Sequence, residues 1–251
     1  MNAAAVVLAS GSGQRFGAEY VPKHLTHILG VPIFVWTLNT AIQSRLFTSI
    51  IVVTRKNDIP QTERVLKEYF SNDILPIRLT KGSSKRIQSF LLGLDDLTKA
   101  NLVNEETIVA LLDANRPFTP ISQLQGLYKA ALEFECSCPA RPIVNGVARI
   151  ESGRILEVPN KSNYVEFVTP EFMQLSTLKV SLGNYKEGFN SLVEYALALG
   201  FKPKTLEASI LNTKLTFPED KTYLSGLALD NQIMRPYKLT HDNTAVRLKI
   251  A

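Results

Sequence analysis

The chain has 251 residues, of which 45% are hydrophobic and 20% charged, an ordinary globular composition that excludes disordered, collagen-like and low-complexity classes. Its net charge of +5 comes from basic residues that are scattered along the chain, which argues against a nucleic-acid partner and favours a small anionic ligand. No apolar run reaches the roughly 18 residues that span a bilayer, and the N-terminus lacks the marks of a signal peptide, so we expect no membrane insertion and a cytoplasmic location.

The first half of the chain alternates between strand-like and helix-like segments. Apolar and β-branched runs predict strands at residues 4–8, 49–54, 74–79 and 107–112. Helical periodicity predicts helices at residues 32–44, 61–70, 84–97 and 121–134. This alternation is typical of βαβ units with right-handed crossovers in a mostly parallel sheet.

The regular alternation of predicted strands and helices ends at about residue 139. The patterns predict a strand at 142–144, a β-hairpin over 147–158, helices at 170–178 and 185–200, a strand at 211–217 and a last helix from Pro218. No linker divides the chain. We therefore predict a single domain over residues 1–228, with an arm at about 140–157 and a C-terminal tail at 229–251.

The cysteines and histidines do not form a recognisable metal motif. Cys136 and Cys138 make a lone C-x-C without further ligands at suitable spacing. His24 and His27 stand three residues apart, with no acidic or Cys partner close by. We expect loop or surface positions for these histidines and no metal bound to them.

A glycine-rich loop follows the first predicted strand. Residues 10–17 read Ser-Gly-Ser-Gly-Gln-Arg-Phe-Gly, and such loops let backbone N–H groups surround an anion at the carboxyl end of a strand. The loop lacks the third glycine of a dinucleotide fingerprint, because Phe16 occupies that position, and it lacks the Gly-Lys-Ser/Thr of a P-loop. Arg15 and Lys23 add two cations, which suits a triphosphate partly neutralised by Mg²⁺. The alternative is a flexible turn with solvated cations.

Five segments carry a resemblance to a known family. Residues 7–17 with Pro22-Lys23 resemble the nucleotide loop of sugar-phosphate nucleotidyltransferases. Four later segments are similar to motifs of the methylerythritol-phosphate and ribitol-phosphate cytidylyltransferases: residues 82–89 to G-x-x-x-R-x-x-S, 112–118 to D-A-A-R-P-F, 169–172 to T-P-Q-x-F, and 212–220 to N-I-K-x-T-x-P-E-D. The ordered set implies a Rossmann-like three-layer α/β nucleotidyltransferase fold, with a mostly parallel sheet and a protruding β-arm.

The resemblance implies an enzyme in which a phosphate monoester attacks the α-phosphorus of CTP and pyrophosphate leaves. The implied catalytic residues are Arg15, Lys23 and Lys214. The implied nucleotide-binding residues are Ala9, Ser10, Gly11, Ser12, Gly13, Gly82, Arg86, Ser89 and Asp113. Asp113 is also the implied Mg²⁺ ligand, and the implied acceptor-binding residues are Arg116, Asn145 and Lys161. Plainer alternatives are a turn cap for Asp113, a structural ion pair for Arg116 and a solvated strand position for Lys214.

Departures from the family motifs fall on the acceptor side. Asn145 and Gly146 replace the Asp and Thr of an arm motif, and Lys161 replaces an Arg whose bidentate phosphate contact a lysine cannot make. A T-D-D segment and an acidic residue before the N-I-K motif are also missing. We therefore expect a ribitol phosphate or another polyol or sugar phosphate as the acceptor, for surface polysaccharide synthesis.

Two alternatives to this acceptor assignment remain open. One is methylerythritol-phosphate cytidylyltransferase itself, and the other is a nucleotide-binding subunit without turnover. The resemblance also implies a homodimer formed through the arm.

Overall fold

The structure is a computed structural model that describes residues 2–11, 22–70, 75–183 and 188–229. Its strands are β1 Ala3–Leu8, β2 His27–Ile28, β3 Val31–Pro32, β4 Phe47–Thr54, β5 Ile77–Lys81, β6 Ile108–Asp113, β7 Cys136–Pro142, β8 Arg149–Glu151, β9 Arg154–Glu157, β10 Val165–Phe167, β11 Glu171–Gln174 and β12 Lys204–Glu207. Its α-helices are α1 Ile33–Gln43, α2 Ile59–Tyr69, α3 Arg86–Lys99, α4 Ile121–Phe134, α5 Leu175–Gly183, α6 Leu192–Ala198 and α7 Asp220–Leu229.

The main sheet runs in the order β10-β7-β11-β6-β1-β4-β5, and β12 also pairs with β7. Strands β1, β4, β5 and β6 are mutually parallel, whereas β11 is antiparallel to both of its neighbours. The predicted α/β fold with a mostly parallel sheet is confirmed. Within the described part of the chain, no helix combines the length and the apolar character needed to cross a membrane.

Alternate residues of β1 face two separate hydrophobic layers. Ala5 and Val7 pack in the layer that contains Trp36 of α1, and Val6 packs in the layer that contains Phe90 of α3. All six residues of β1 are buried, as expected for a central strand covered by helices on both faces. The sheet is therefore the middle of three layers.

The carboxyl ends of β1 and β6 form the edge at which a ligand would bind. Leu8 of β1 is the register partner of Asp113 of β6. The chain passes from β1 to β4 on one side and later returns to β6 on the other, which makes this gap a switch point of the sheet. Ligands of open α/β sheets bind at such points.

The arm is a two-stranded hairpin outside the main sheet. Among the described residues, strands β8 and β9 pair only with each other, which confirms the hairpin predicted over 147–158. Ser152 and Gly153 both have positive φ, as do the central residues of a type I′ turn. The arm exposes large apolar side chains, with Ile150 65% and Ile155 68% accessible in the single chain.

The helix predicted at 170–178 is wrong in its first half. Residues Glu171–Gln174 form strand β11, which lies between β6 and β7, and the helix begins only at Leu175. Phe172 and Met173 are fully buried on the two faces of this strand. Pairing on both edges overrides the local helical pattern that begins with Pro170.

Other predictions of the second half also need correction. The strand predicted at 142–144 occurs earlier, as β7, because Cys136 and Cys138 are buried core residues of that strand. The segment predicted as a strand at 211–217 is irregular, and the helix predicted at 185–200 is shorter, spanning Leu192–Ala198. Residues 184–187 and the predicted tail from residue 230 lie outside the described residues.

Gly93 lets α3 lie close against the sheet. A Cβ here would be 2.7 Å from Cγ2 of Val53 and 2.8 Å from Cγ1 of Val6. We expect Gly93→Ala to lower the free energy of unfolding by about 1–3 kcal/mol, because overpacking must displace the helix. The matched control is Gly226→Ala in α7, where a Cβ would enter open space. This substitution should raise the free energy of unfolding by up to about 1 kcal/mol, because alanine has the higher helix propensity. Urea unfolding measures both, and an unchanged midpoint for Gly93→Ala would contradict this packing.

Candidate active site

A cavity of about 460 Å³ opens at the carboxyl ends of β1 and β6. Its described lining comes from residues 8–11, Lys23 and His24, Ser83, Ser84 and Arg86, residues 113–115, and Lys214. This volume is in the range of small-molecule sites. Four of the five segments that carry the family resemblance therefore meet at one cavity.

The loop after β1 forms one wall of the cavity. Ala9, Ser10 and Gly11 line it, as predicted for nucleotide-binding residues, and the backbone N–H of Ala9 donates to the carbonyl of Val53 at 2.8 Å. The predicted residues Ser12, Gly13 and Arg15 lie outside the described residues.

A buried serine organises a second wall. Ser89 of α3 has no exposed surface, and its Oγ accepts hydrogen bonds from the N–H of Ser83 (2.9 Å) and the hydroxyl of Ser10 (3.0 Å). A Cβ on Gly82 would lie 2.8 Å from the Cβ of Ser10 and 2.9 Å from Ser89 Oγ, so glycine lets these segments meet. Gly82 and Ser89 thus shape the cavity through Ser10 and Ser83, and their predicted contact with base and ribose stays a prediction.

Asp113 ends β6 at the centre of a cluster of cations. Its Oδ2 accepts hydrogen bonds from Lys214 Nζ and Thr169 Oγ1, both at 2.8 Å. Arg116 Nε lies 3.4 Å from the same oxygen, and Arg86 Nη2 lies 3.4 Å from Oδ1. Burial alone would raise the pKa of Asp113, but the charges of Lys214, Arg86 and Arg116 hold it well below its usual range. The carboxylate is therefore ionised at neutral pH.

The segment that carries Lys214 is fixed by side-chain hydrogen bonds to backbone groups. Asn212 is buried, and its Nδ2 donates to the carbonyl of Thr169 at 2.8 Å. Asn115 Nδ2 donates to the carbonyl of Leu215 at 2.6 Å, and the N–H of Leu215 donates back to the carbonyl of Asn115. These bonds replace the predicted strand pairing and place Lys214 against Asp113.

Lys23 contacts the same segment. It begins a single 3-10 turn, Lys23–Leu25, and its Nζ donates to the carbonyl of Thr216 at 3.2 Å. Two of the predicted catalytic cations, Lys23 and Lys214, therefore line one cavity.

The predicted acceptor-binding residues do not line this cavity as the described residues form it. Arg116 is buried beside Asp113, and its Nη1 donates to the carbonyl of Asn212 at 2.7 Å. Lys161 Nζ donates to the carbonyl of Val144 at 2.9 Å, next to the exposed Asn145. The acceptor roles of Arg116, Asn145 and Lys161 stay predictions.

Three residues of the site were not predicted. Thr169 and Asn212 hold Asp113 and the Lys214 segment, and Glu171 pairs with Arg86 at 3.3 Å. All three stand in segments that resemble family motifs. The signal that could have identified these residues is that they are polar and lie inside the motifs. Their hydrogen-bond partners, however, are 43 to 85 residues away along the chain.

The donor set fits a Mg²⁺ ion that arrives with a nucleotide, and it does not form a metal cage alone. Among the described residues, no three His, Cys, Asp or Glu side chains are close enough together to hold a metal. Asp113 supplies one ionised carboxylate, and Mg²⁺ sites at nucleotides commonly use one or two carboxylates plus phosphate oxygens. Its role as a metal ligand stays a prediction.

His24 is buried, which corrects the expected loop or surface position. Its side chain is 3% exposed, and its Nε2 lies 2.9 Å from Thr62 Oγ1. Because the Thr62 hydroxyl donates to the carbonyl of Asp58, His24 Nε2 is the donor to Thr62. Burial lowers the pKa of His24 to about 4, against the opposing effect of Asp58 and with a smaller contribution from Arg55.

His24 should make the stability of the protein depend on pH. Between pH 6.5 and about 4 the unfolded chain binds a proton at His24 that the folded chain does not, so this stabilising contribution is lost as the pH falls. Relative to His24→Gln, we expect the wild type to lose about 2 kcal/mol from pH 7.5 to 5.0. Urea unfolding at both pH values measures this loss. The control is His27→Gln, at an exposed position. If the wild type lost as much stability relative to His27→Gln as relative to His24→Gln, the assignment of this loss to His24 would be wrong.

The cavity places Lys23, Lys214 and the loop after β1 at the switch point of an open α/β sheet, the position at which such sheets bind nucleotides. The sequence model of the IspD family, described as 2-C-methyl-D-erythritol 4-phosphate cytidylyltransferase, matches residues 3–229. The chain belongs to this family and is a cytidylyltransferase.

Individual relatives agree with the family assignment. The chain is 26% identical over 230 residues to the 2-C-methyl-D-erythritol 4-phosphate cytidylyltransferase of Geobacillus kaustophilus, covering 90% of this chain and 97% of the relative. It is 22% identical over 227 residues to the ribitol-5-phosphate cytidylyltransferase of Lactiplantibacillus plantarum, covering 89% and 97%. The crystal structure of 4-diphosphocytidyl-2C-methyl-D-erythritol synthase from Anaerococcus prevotii has the same fold, with a TM-score of 0.71 at 20% identity, covering 90% of this chain and 97% of that chain.

Proposed function

We propose that the chain transfers the cytidylyl group of CTP to the phosphate of 2-C-methyl-D-erythritol 4-phosphate and releases pyrophosphate. The observation that carries this proposal is the 2.8 Å contact between Lys214 Nζ and Asp113 Oδ2, because it joins two distant motifs at one cationic cavity. The family match and the Geobacillus kaustophilus relative support this acceptor.

The chemistry requires positioning and charge neutralisation. An oxygen of the acceptor phosphate forms a bond to the α-phosphorus of CTP, and the bond from that phosphorus to the bridging oxygen of the β-phosphate breaks. Pyrophosphate leaves with the bonding electrons. Lys23 and Lys214 stabilise the charge that develops on the α-phosphate and the leaving group, and the backbone N–H groups of the loop after β1 hold the triphosphate.

Both substrates are anions, so the charge of the site needs a further cation. Arg86, Arg116 and Lys214 face the carboxylates of Asp113 and Glu171, which offset part of their charge. Mg²⁺ bound to the triphosphate would neutralise negative charge there, and Asp113 would supply a carboxylate oxygen to it. This chain's own residues then orient the two phosphates and exclude water from the reacting atoms.

A ribitol 5-phosphate acceptor is the second candidate. Asn145, Gly146 and Lys161 favour it because they depart from the acceptor motifs. One relative is also a ribitol-5-phosphate cytidylyltransferase. The family match and the more similar relatives favour methylerythritol phosphate instead. Methylerythritol phosphate therefore replaces ribitol phosphate as the preferred acceptor.

The proposal includes a homodimer formed through the arm. The exposed Ile150, Ile155 and Val158 lie on or beside the hairpin and would be covered by a second copy. Sedimentation velocity tests this part: we expect a dimer that Ile150→Glu with Ile155→Glu converts to a monomer. A wild-type monomer at all concentrations would contradict it.

Pyrophosphate release with CTP and a panel of acceptors tests the function. We expect kcat/KM for 2-C-methyl-D-erythritol 4-phosphate to exceed that for ribitol 5-phosphate by at least about 100-fold, because a site built for one polyol leaves polar groups unpaired with another. The reverse preference would establish the second candidate. CTP binding without turnover on any acceptor would contradict both and indicate a nucleotide-binding subunit.

A further inference from the structure

Glu171 is a buried carboxylate that joins two elements behind the cavity. It begins β11 and is 2% exposed. Its Oε2 accepts hydrogen bonds from the N–H groups of Leu192 (2.6 Å) and Val193 (3.3 Å), at the start of α6. Burial raises its pKa against the opposing effects of Arg86 and these two N–H groups.

The second carboxylate oxygen holds Arg86. Arg86 Nη1 donates to Glu171 Oε1 at 3.3 Å and to the carbonyl of Asn190 at 2.8 Å, while Nη2 reaches Asp113 Oδ1 at 3.4 Å. Arg86 lines the cavity with 30% of its side chain exposed, whereas the carboxylates of Asp113 and Glu171 are 7% and 2% exposed. The guanidinium of this cavity-lining residue is therefore held by two buried anions.

A glutamine could not make the same connections. One oxygen of Glu171 accepts from Arg86 and the other from two backbone N–H groups, and a glutamine offers only one accepting oxygen. Its NH₂ group would face either Arg86 or the N–H of Leu192, donor against donor. The carboxylate at this position, where the resembled motif T-P-Q-x-F has glutamine, thus gives Arg86 an anchor that an amide would not.

We propose that Glu171 is a positioning residue for nucleotide binding, which acts by holding Arg86 against the cavity wall. The proposal rests on the proposed function, since it needs CTP as the ligand of the cavity. Arg86 would meet CTP directly, and Glu171 would act only through it. Its contribution therefore depends on the presence of Arg86.

A double-mutant cycle tests this dependence. The probe is CTP with Mg²⁺, with Kd measured by calorimetry without an acceptor, and KM and kcat measured with 2-C-methyl-D-erythritol 4-phosphate. We expect Glu171→Gln to raise Kd and KM for CTP about tenfold, the size of a lost charge-assisted contact, and to change kcat less than about threefold. In the Arg86→Ala background, the same substitution should change Kd less than about twofold.

Matched variants keep the outcomes distinct. Glu171→Asp retains the charge but is one methylene shorter. It should give a smaller rise in the Kd for CTP, again only when Arg86 is present. This variant replaces Glu171→Gln in the cycle if Glu171→Gln does not fold. Glu133→Gln, at an exposed position of α4, should leave Kd unchanged. An equal rise in both backgrounds would overturn the proposal and assign Glu171 a purely structural role. A wild type that does not bind CTP would instead overturn the proposed function.

Discussion

Replacing Lys214 with methionine is expected to reduce kcat at least about 100-fold while the protein stays folded, because an ammonium facing the reacting phosphates is removed. The methionine retains most of the apolar stem. Asp113 keeps its hydrogen bond from Thr169 and its contacts with Arg86 and Arg116, so the buried carboxylate is not left alone. Pyrophosphate release and the melting temperature measure the two effects.

The control for Lys214 is a lysine with a similar location in the chain and no part in the cavity. Lys221 is exposed on α7, seven residues further on. Lys221→Met should leave kcat within about twofold of the wild type, since exposed charges away from the site contribute little. If Lys214→Met kept a comparable kcat, the assignment of Lys214 as catalytic would be wrong.

Replacing Asp113 with asparagine should affect both stability and turnover. The substitution leaves three buried or partly buried cations without their shared counter-charge, which we expect to lower the free energy of unfolding by about 3 kcal/mol. We expect kcat to fall about 100-fold or more, because Lys214 loses the group that orients it. Urea unfolding and pyrophosphate release measure these losses.

CTP binding separates a charge effect from a general collapse of the site. The triphosphate would supply negative charge to the cations that Asp113 leaves behind, so CTP without Mg²⁺ should raise the Tm of Asp113→Asn at least as much as that of the wild type. Asp95→Asn, which breaks an exposed pair with Lys99, should change stability by less than about 0.5 kcal/mol. Loss of the CTP-dependent rise in Tm would contradict the charge-balancing role of Asp113.

The fold could be predicted from sequence where local patterns and burial agree. Strands β1 and β6 are continuous apolar runs because helices cover both faces, and α4 was predicted at its observed bounds, Ile121–Phe134. Strand β11 was missed, because the burial of Phe172 and Met173 between β6 and β7 is set by neighbours distant in sequence.

The candidate site could be predicted from the sequence to about the same extent as the fold. Lys23, Arg86, Asp113 and Lys214 stand in recognisable motifs, and all four line the cavity. The contacts that fix them were not predictable, since Asn212 and Glu171 act through backbone groups and an arginine that only the fold brings near. Motifs identify residues that meet a ligand better than residues that hold those residues in place.

Phosphorus NMR of the wild type with CTP, 2-C-methyl-D-erythritol 4-phosphate and Mg²⁺ tests the central claim most directly. We predict that the signals of CTP and of the phosphate monoester decline together, while a diphosphate diester and pyrophosphate appear in equal amounts. Omission of the acceptor should stop the reaction. Unchanged CTP with this acceptor and with ribitol 5-phosphate would contradict the account, as would release of inorganic phosphate alone.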